Sequence, residues 1–186
     1  PKDPAAYEVR LKPLSEARTR VEAADRFLMF RSEEVTDDSR GKPVHINAHN
    51  IGKALKPQGG KNVRDVMRRN LEAINEHGKK TGREVLAHVN HPNFGWGLTA
   101  EDLALVTADN FFEVYNGHPH TRNKGDDDHP GTERLWDIAS TIRIAQLKAH
   151  PLFGIATDDT HHYHGRGRFQ YSRMERGWVQ VRARYL

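Results

Sequence analysis

Histidine and carboxylate side chains collect at the ends of the apolar segments of this chain. Residues 27–36 run into Glu33 and Glu34. Residues 44–51 carry His45 and His49, and residues 84–91 end in His88 and His91. Residues 111–117 bring Glu113 and Asn116, with His118 following. Residues 152–159 lead into Asp158, Asp159, His161, His162 and His164. Histidine with aspartate and glutamate is the donor set for Zn²⁺, Mn²⁺ or Fe²⁺. Asp159-Thr160-His161 is a D-x-H, and on an extended strand the i, i+2 spacing points both side chains the same way. D-x-H alone occurs by chance in many chains; with His91-Pro92 and Glu34 at other strand ends the signal strengthens. The bland reading of any single histidine is a surface or satisfied core residue, and His77, His129 and His150 fit it.

The chain has 186 residues, twelve histidines and no cysteine. That length fits one globular domain spanning residues 1–186, with a core large enough to fold without staples. The absence of cysteine excludes a disulfide framework, a thiolate metal site and a cysteine nucleophile. No G-x-S-x-G motif is present either. With 36% hydrophobic and 29% charged residues the composition is that of a folded soluble domain. No apolar run approaches the roughly 18 residues of a membrane span, and no signal peptide is seen. A cytoplasmic protein and an exported one whose leader was removed look alike at this level. The net charge of +4 suits a phosphorylated partner but is modest for a nucleic-acid binder, and no nucleic-acid motif accompanies it.

The elements that must position these residues follow from periodicity. Residues 15–25 read as a short helix capped by Ser15. Residues 27–36 read as a strand, and 44–51 as a second with His45, Asn47 and His49 on one face and Val44, Ile46 and Ala48 on the other. Pro57 and Gly59-Gly60 make 53–61 a loop. Residues 62–80 are the clearest helix, with Val63, Val66, Met67, Leu71 and Ile74 at helical spacing and Asn62 as cap. Strand 84–91, helix 99–106 capped by Thr99, strand 111–117, helix 132–149 and strand 152–159 come next. Residues 177–185 read as a last strand. Strands alternating with amphipathic helices predict an α/β fold with a mainly parallel sheet. In such folds the site lies beyond the carboxyl ends of the strands.

Seven stretches carry a resemblance. They are Ser32-Glu-Glu-Val-Thr36, His45-Ile-Asn-Ala-His49, His91-Pro-Asn-Phe-Gly-Trp-Gly97, Phe112-Glu-Val-Tyr-Asn-Gly-His118, Leu135-Trp-Asp137, Gly154-Ile-Ala-Thr-Asp-Asp-Thr-His161 and Gly177-Trp-Val179. In this order they resemble the PHP (polymerase and histidinol phosphatase) family of metal-dependent phosphoesterases, and within it the carbaryl-hydrolase-like branch. The resemblance implies a distorted (β/α)7 TIM-like barrel with two to three divalent metal ions (Zn, Mn or Fe) at its mouth. It implies Glu34, His45, His91, Asp159 and His161 as metal ligands, with Glu33, His49 and His88 as alternates. Asn116 and His118 fall in a motif typical of the branch, as outer-sphere or substrate contacts. The family opens with an H-x-H on its first strand, whereas residues 1–33 hold no histidine. The expectation is therefore the later part of such a domain, without the H-x-H motif and the first strand.

The function expected is hydrolysis by metal-activated water, most simply of a phosphate mono- or diester. His118 and Asp159 are the candidates for a direct catalytic part. Arg166, Arg168, Arg173 and Arg176 are candidates to clamp a phosphate, with an ordinary solvated stretch as the equal alternative. Phe94 and Trp96 are candidates to wall the substrate site, and Trp136 and Trp178 are expected in the core. An aryl ester or carbamate is the second substrate class, favoured by a pocket of Phe94, Trp96 and Phe112. A non-enzymatic remnant with an impaired site is the third reading. The expected partner is a small-molecule phosphoester or ester, with no nucleic acid and no membrane.

Overall fold

A computed structural model describes residues 12–161 and 172–182. The order of elements is α1 (Leu14–Val21), β1 (Ser32–Ser39), β2 (Lys42–His49), α2 (Val63–Thr81), β3 (Leu86–Val89), α3 (Ala100–Leu105), β4 (Phe111–Asn116), α4 (Thr132–Ile142) and β5 (Phe153–Thr157). The strands form one sheet in the order β1-β2-β3-β4-β5. β1 and β2, and β2 and β3, pair antiparallel; β3 and β4, and β4 and β5, pair parallel. No helix among the described residues is long and apolar enough to cross a membrane.

The expected (β/α)7 barrel is not formed. Among the described residues the sheet has five strands, is mixed rather than mainly parallel, and has β1 and β5 at its edges. Only four α-helices accompany it among the described residues. The cause is local. Arg40 and Gly41 both have positive φ, 54° and 80°, the two-residue turn that matches the twist of a hairpin. Such a turn joins antiparallel strands and leaves no room for a crossover helix. It also fixes the register, so β1 begins at Ser32, and Phe27, Leu28 and Phe30 are left largely exposed.

α2 is the helix that the periodicity predicts. Asn62 accepts a hydrogen bond from the Asp65 N–H, and Gly82 closes the other end at φ 65°. Its face of Val66, Met67, Leu71 and Ile74 is fully buried against β1, β2 and β3. There it meets Val35, Val44, Ile46, Ala48, Ala87 and Val89. α3 begins on a capping box between Thr99 and Asp102 and packs on α4. α4 ends at Ile142 and continues as a π-helical turn, Arg143–Leu147. The Arg143 guanidinium is buried there and donates to the carbonyls of Leu103, Val106 and Asp109.

Other expectations are corrected in detail. α1 starts on Pro13 rather than a serine cap and buries none of its residues. Residues 177–182 form no strand, and 183–185 lie outside the described residues. Trp136 joins the core through its indole N–H, which donates to the Leu152 carbonyl. Trp178 does not join it and is 70% exposed.

Candidate metal centre

Because one face of the sheet is filled by α2, the alternate residues of β1 and β2 form a polar face on the other side. Cross-strand pairing sets Glu34 opposite Asn47 and Thr36 opposite His45. Asn47 in turn faces His88 of β3. β3 ends at Val89, and the chain then turns through Asn90, His91 and Pro92, which brings His91 over the same face.

Glu34, His45 and His91 converge, with one potential donor atom from each within 4.8 Å of the others. Glu34 Oε1 lies 3.2 Å from His45 Nδ1 and 3.2 Å from His91 Nε2. The two imidazoles meet edge to face, 5.0 Å between centroids. Phe94 borders both rings, at 5.8 Å from His45 and 5.2 Å from His91. The hydrogen bonds from His45 and His91 hold the Glu34 carboxyl well below the usual carboxylate range, against the opposing effect of burial. Burial pushes His91 down. The Glu34 hydrogen bond and the charges of Glu113, Glu34 and Asp159 more than offset it, and the net shift is upward.

Two residues that sequence reasoning did not select hold these three in place. The Asn90 amide donates to Glu34 Oε1 at 2.7 Å, while its oxygen accepts from the Asn47 N–H at 3.0 Å. Its own backbone N–H donates to the His45 carbonyl at 2.9 Å. One side chain thereby ties β1, β2 and the loop after β3. Glu113, at 1% exposure, accepts from the His91 N–H at 2.7 Å and from the Asn116 amide at 2.8 Å. Its other oxygen takes the Thr157 hydroxyl at 2.7 Å. Burial raises the Glu113 pKa, but hydrogen bonds from His88, Asn116 and Thr157 and the charge of His88 reverse the sign. A glutamate inside the apolar run Phe111–Asn116 is the sequence signal for such a role, because a buried carboxylate must be paired.

Asp159 and His161 stand apart from the convergent three. β5 ends at Thr157, so the pair sits on a loop where strand alternation no longer applies, and Asp159 has φ 48°. They still meet, with His161 Nδ1 3.4 Å from Asp159 Oδ1. His118 packs edge to face on His161 at 4.9 Å. Burial lowers the His118 pKa, as do His161, His120 and His91, against the pull of Asp159.

Asn116 is 1% exposed and spends its side chain on Glu113 and the His118 N–H. Glu33 points to the opposite face and accepts from the Leu55 N–H. His49 and His88 pair with each other at 3.2 Å, at the far end of the polar face. Trp96 stacks on His129 at 4.0 Å and lies under the Arg122 guanidinium. Phe112 is buried in the core against Trp136. Arg166 and Arg168 lie outside the described residues. Asp158 accepts from the N–H groups of Glu175, Arg176 and Gly177, which anchors residues 175–177 beside β5.

Two histidines and one carboxylate are the donor number and type of a divalent site that keeps further positions open. The donor chemistry fits such an ion. Both imidazoles offer a ring nitrogen toward one point, the glutamate is ionised, and Asn90 orients it. Compared with family models, curated proteins and solved structures, the chain matches none.

Proposed function

We propose that the chain is a metal-dependent hydrolase that holds a divalent ion on Glu34, His45 and His91 and acts on a phosphoester. The convergence of these three donors within 4.8 Å, on the face of the sheet opposite α2, carries the reading. When bound, a divalent ion lowers the pKa of water to roughly 7 and neutralises charge that builds on phosphoryl oxygens. The chain's own part is to bind and orient. Glu34 supplies the negative charge, and Asn90 fixes its rotamer. Glu113 fixes the backbone at His91, and Phe94 shields one side from water. Asp159 and His161, with His118 beside them, stand ready to contact the substrate or a second ion.

A carbon-centred substrate, an aryl ester or carbamate, is the second reading, supported by the Phe94 ring against both histidines. It is the weaker one, since Trp96 and Phe112 are engaged elsewhere.

Metal content and turnover test the proposal together. The chain dialysed against Zn²⁺, Mn²⁺ or Fe²⁺ is expected to retain at least one equivalent. Glu34→Gln and His91→Ala are expected to lose it along with hydrolysis of p-nitrophenyl phosphate or its bis-ester. Less than one equivalent bound, with no turnover, overturns the hydrolase. Cleavage of an aryl ester alone, lost on chelation, replaces the phosphoester reading with the second one.

A further inference from the structure

Where β1 begins and β2 ends, the chain leaves a cleft of about 840 Å³. That volume lies within the roughly 300–1,000 Å³ of small-molecule sites. None of Glu34, His45 and His91 lines it. α1 forms one wall, the residues before β1 a second, and the loops after β2 and α2 the rest. The cleft follows from the register of the sheet. β1 starts at Ser32, so Leu28 and Phe30 precede the strand, and with Leu86 they stay exposed in the cleft. Ile51 and Val85 complete the apolar lining.

Hydrogen bonds tie these walls together. The Met29 N–H donates to Glu22 Oε1 at the end of α1, and the Ile51 N–H donates to the Arg31 carbonyl. Asn50 has φ 60°, a left-handed conformation that asparagine tolerates. Its amide donates to the Glu84 carbonyl at 2.8 Å, which joins the loop after β2 to the loop after α2.

Two guanidinium groups meet at one residue of that loop. Arg31 Nη1 donates to the Gly52 carbonyl. Arg83 Nη1 donates to Asn50 Oδ1 at 3.3 Å, and its Nε lies 3.4 Å from where a Cβ on Gly52 would stand. Their acceptors are thus a carbonyl and an amide, and among the described residues neither guanidinium pairs with a carboxylate. Arg18, the third arginine in the lining, is paired with Glu22. Glu84 is the one carboxylate in the lining, so Arg31 and Arg83 leave an excess of one positive charge. His49 adds none at pH 7, because burial and the neighbouring His88 hold its pKa at about 4, against the pull of Glu113. Like charges side by side repel, and an anion between them relieves the repulsion. Guanidinium forks match a carboxylate in geometry as well as charge. An excess of one charge suits a monoanion, and the apolar walls beside it suit a hydrocarbon body.

We propose that this cleft binds an aliphatic monocarboxylate of medium chain length, with its head between Arg31 and Arg83 and its chain over Leu28, Phe30 and Leu86. The site is separate from the metal centre and needs no metal.

Titration calorimetry of sodium octanoate into the full chain, after chelation of metals, tests this. One equivalent is expected to bind saturably. Acetate lacks the chain and 1-octanol lacks the charge, and each is expected to bind roughly 10-fold more weakly or worse. Arg31→Gln and Arg83→Gln are each expected to weaken octanoate about 10-fold and to leave 1-octanol unchanged, a split that a merely structural role would not give. Phe30→Ala is expected to weaken both ligands alike. Thermal melts by circular dichroism establish that each variant is folded. Equal binding of octanoate and 1-octanol overturns the proposal, as does an octanoate affinity unchanged in both arginine variants. Uptake of several equivalents without saturation overturns it too. Octyl phosphate bound more tightly than octanoate overturns the carboxylate head. A dimer in sedimentation velocity, with no octanoate bound, overturns the small-molecule occupant in favour of a second copy of the chain. The titration is read without metal, so its failure and the failure of the metal hydrolase are separate results.

Discussion

The three converging donors depend on residues that never touch the ion they would hold. Asn90 is the clearest case. It is buried, it spans three segments, and its amide supplies the shortest of the hydrogen bonds received by Glu34 Oε1. Groups that orient a ligand typically contribute 10–100-fold to metal affinity. Asn90→Ala is therefore expected to weaken Zn²⁺ or Mn²⁺ binding about 10–100-fold while the fold persists, measured by titration calorimetry. Unchanged affinity would show that Glu34 is held by the histidines alone. Glu34, His45 and His91 were all candidates from the sequence, as histidine and carboxylate in or beside apolar segments. Asn90 was not, because asparagine before a histidine reads as a turn residue until its two hydrogen-bond partners are seen.

The hairpin and α2 decide the polar face together. Asp37 of β1 is their joint: its Oδ2 accepts from the Asn70 amide of α2 and from the Gly59 N–H. Burial raises the Asp37 pKa, but hydrogen bonds from Asn70, Asp38, Gly59 and Gln58 outweigh it and leave the carboxyl below its ordinary value. The sign follows. A carboxylate with a folded pKa below its unfolded value contributes stability that is full above the unfolded value, about 3.9. That contribution is lost as pH falls through the lower, folded value. Asp37→Asn is expected to flatten the fall in stability below about pH 4, read from urea midpoints between neutral and acid pH. An equal slope in both proteins would remove Asp37 from the acid response. The caps of α2 at Asn62 and Gly82 were legible, since each serves its own turn. The extent of β1 was not: the apolar residues Phe27, Leu28 and Phe30 looked like strand, yet the register runs back from the Arg40-Gly41 turn.

For the whole molecule, one helix covers three of the five strands. Leu71 lies at the centre of that contact with 1% exposure. Leu71→Ala is expected to cost about 3 kcal/mol from lost transfer energy and the cavity left behind, seen as a lower denaturant midpoint with an unchanged slope. A loss below about 1 kcal/mol would mean that α2 does not carry the core. The open sheet also explains why the polar groups fall into separate clusters. In a closed barrel the strand ends would ring one mouth. Here β5 ends at Thr157, so the Asp159-His161 pair sits on the following loop and stays outside the three converging donors, although the charge of Asp159 still acts on His91.

The sequence by itself determined the pieces whose cause is local. These are the caps and buried stripe of α2, the alternation of β2 and the capped start of α3; the expectation that histidines and carboxylates sit where strands stop did not hold for Glu34, at the start of β1, or for His45 and Glu113, inside β2 and β4. Periodicity and capping act within a few residues, so they can be read without the fold. Tertiary structure alone decided the rest. Strand direction came from the Arg40-Gly41 turn for β1 and β2 and from the antiparallel pairing of β2 with β3 across α2, and the result is an open mixed sheet in place of a barrel. Register put Glu34, already preferred to Glu33 from the sequence, on the polar face with His45 and sent Glu33 to the other, because a shift of one residue sends a side chain to the other face. The burial of Glu113 came from three strands meeting around one carboxylate. Such pairings join residues far apart in the chain, and no spacing in the sequence records them.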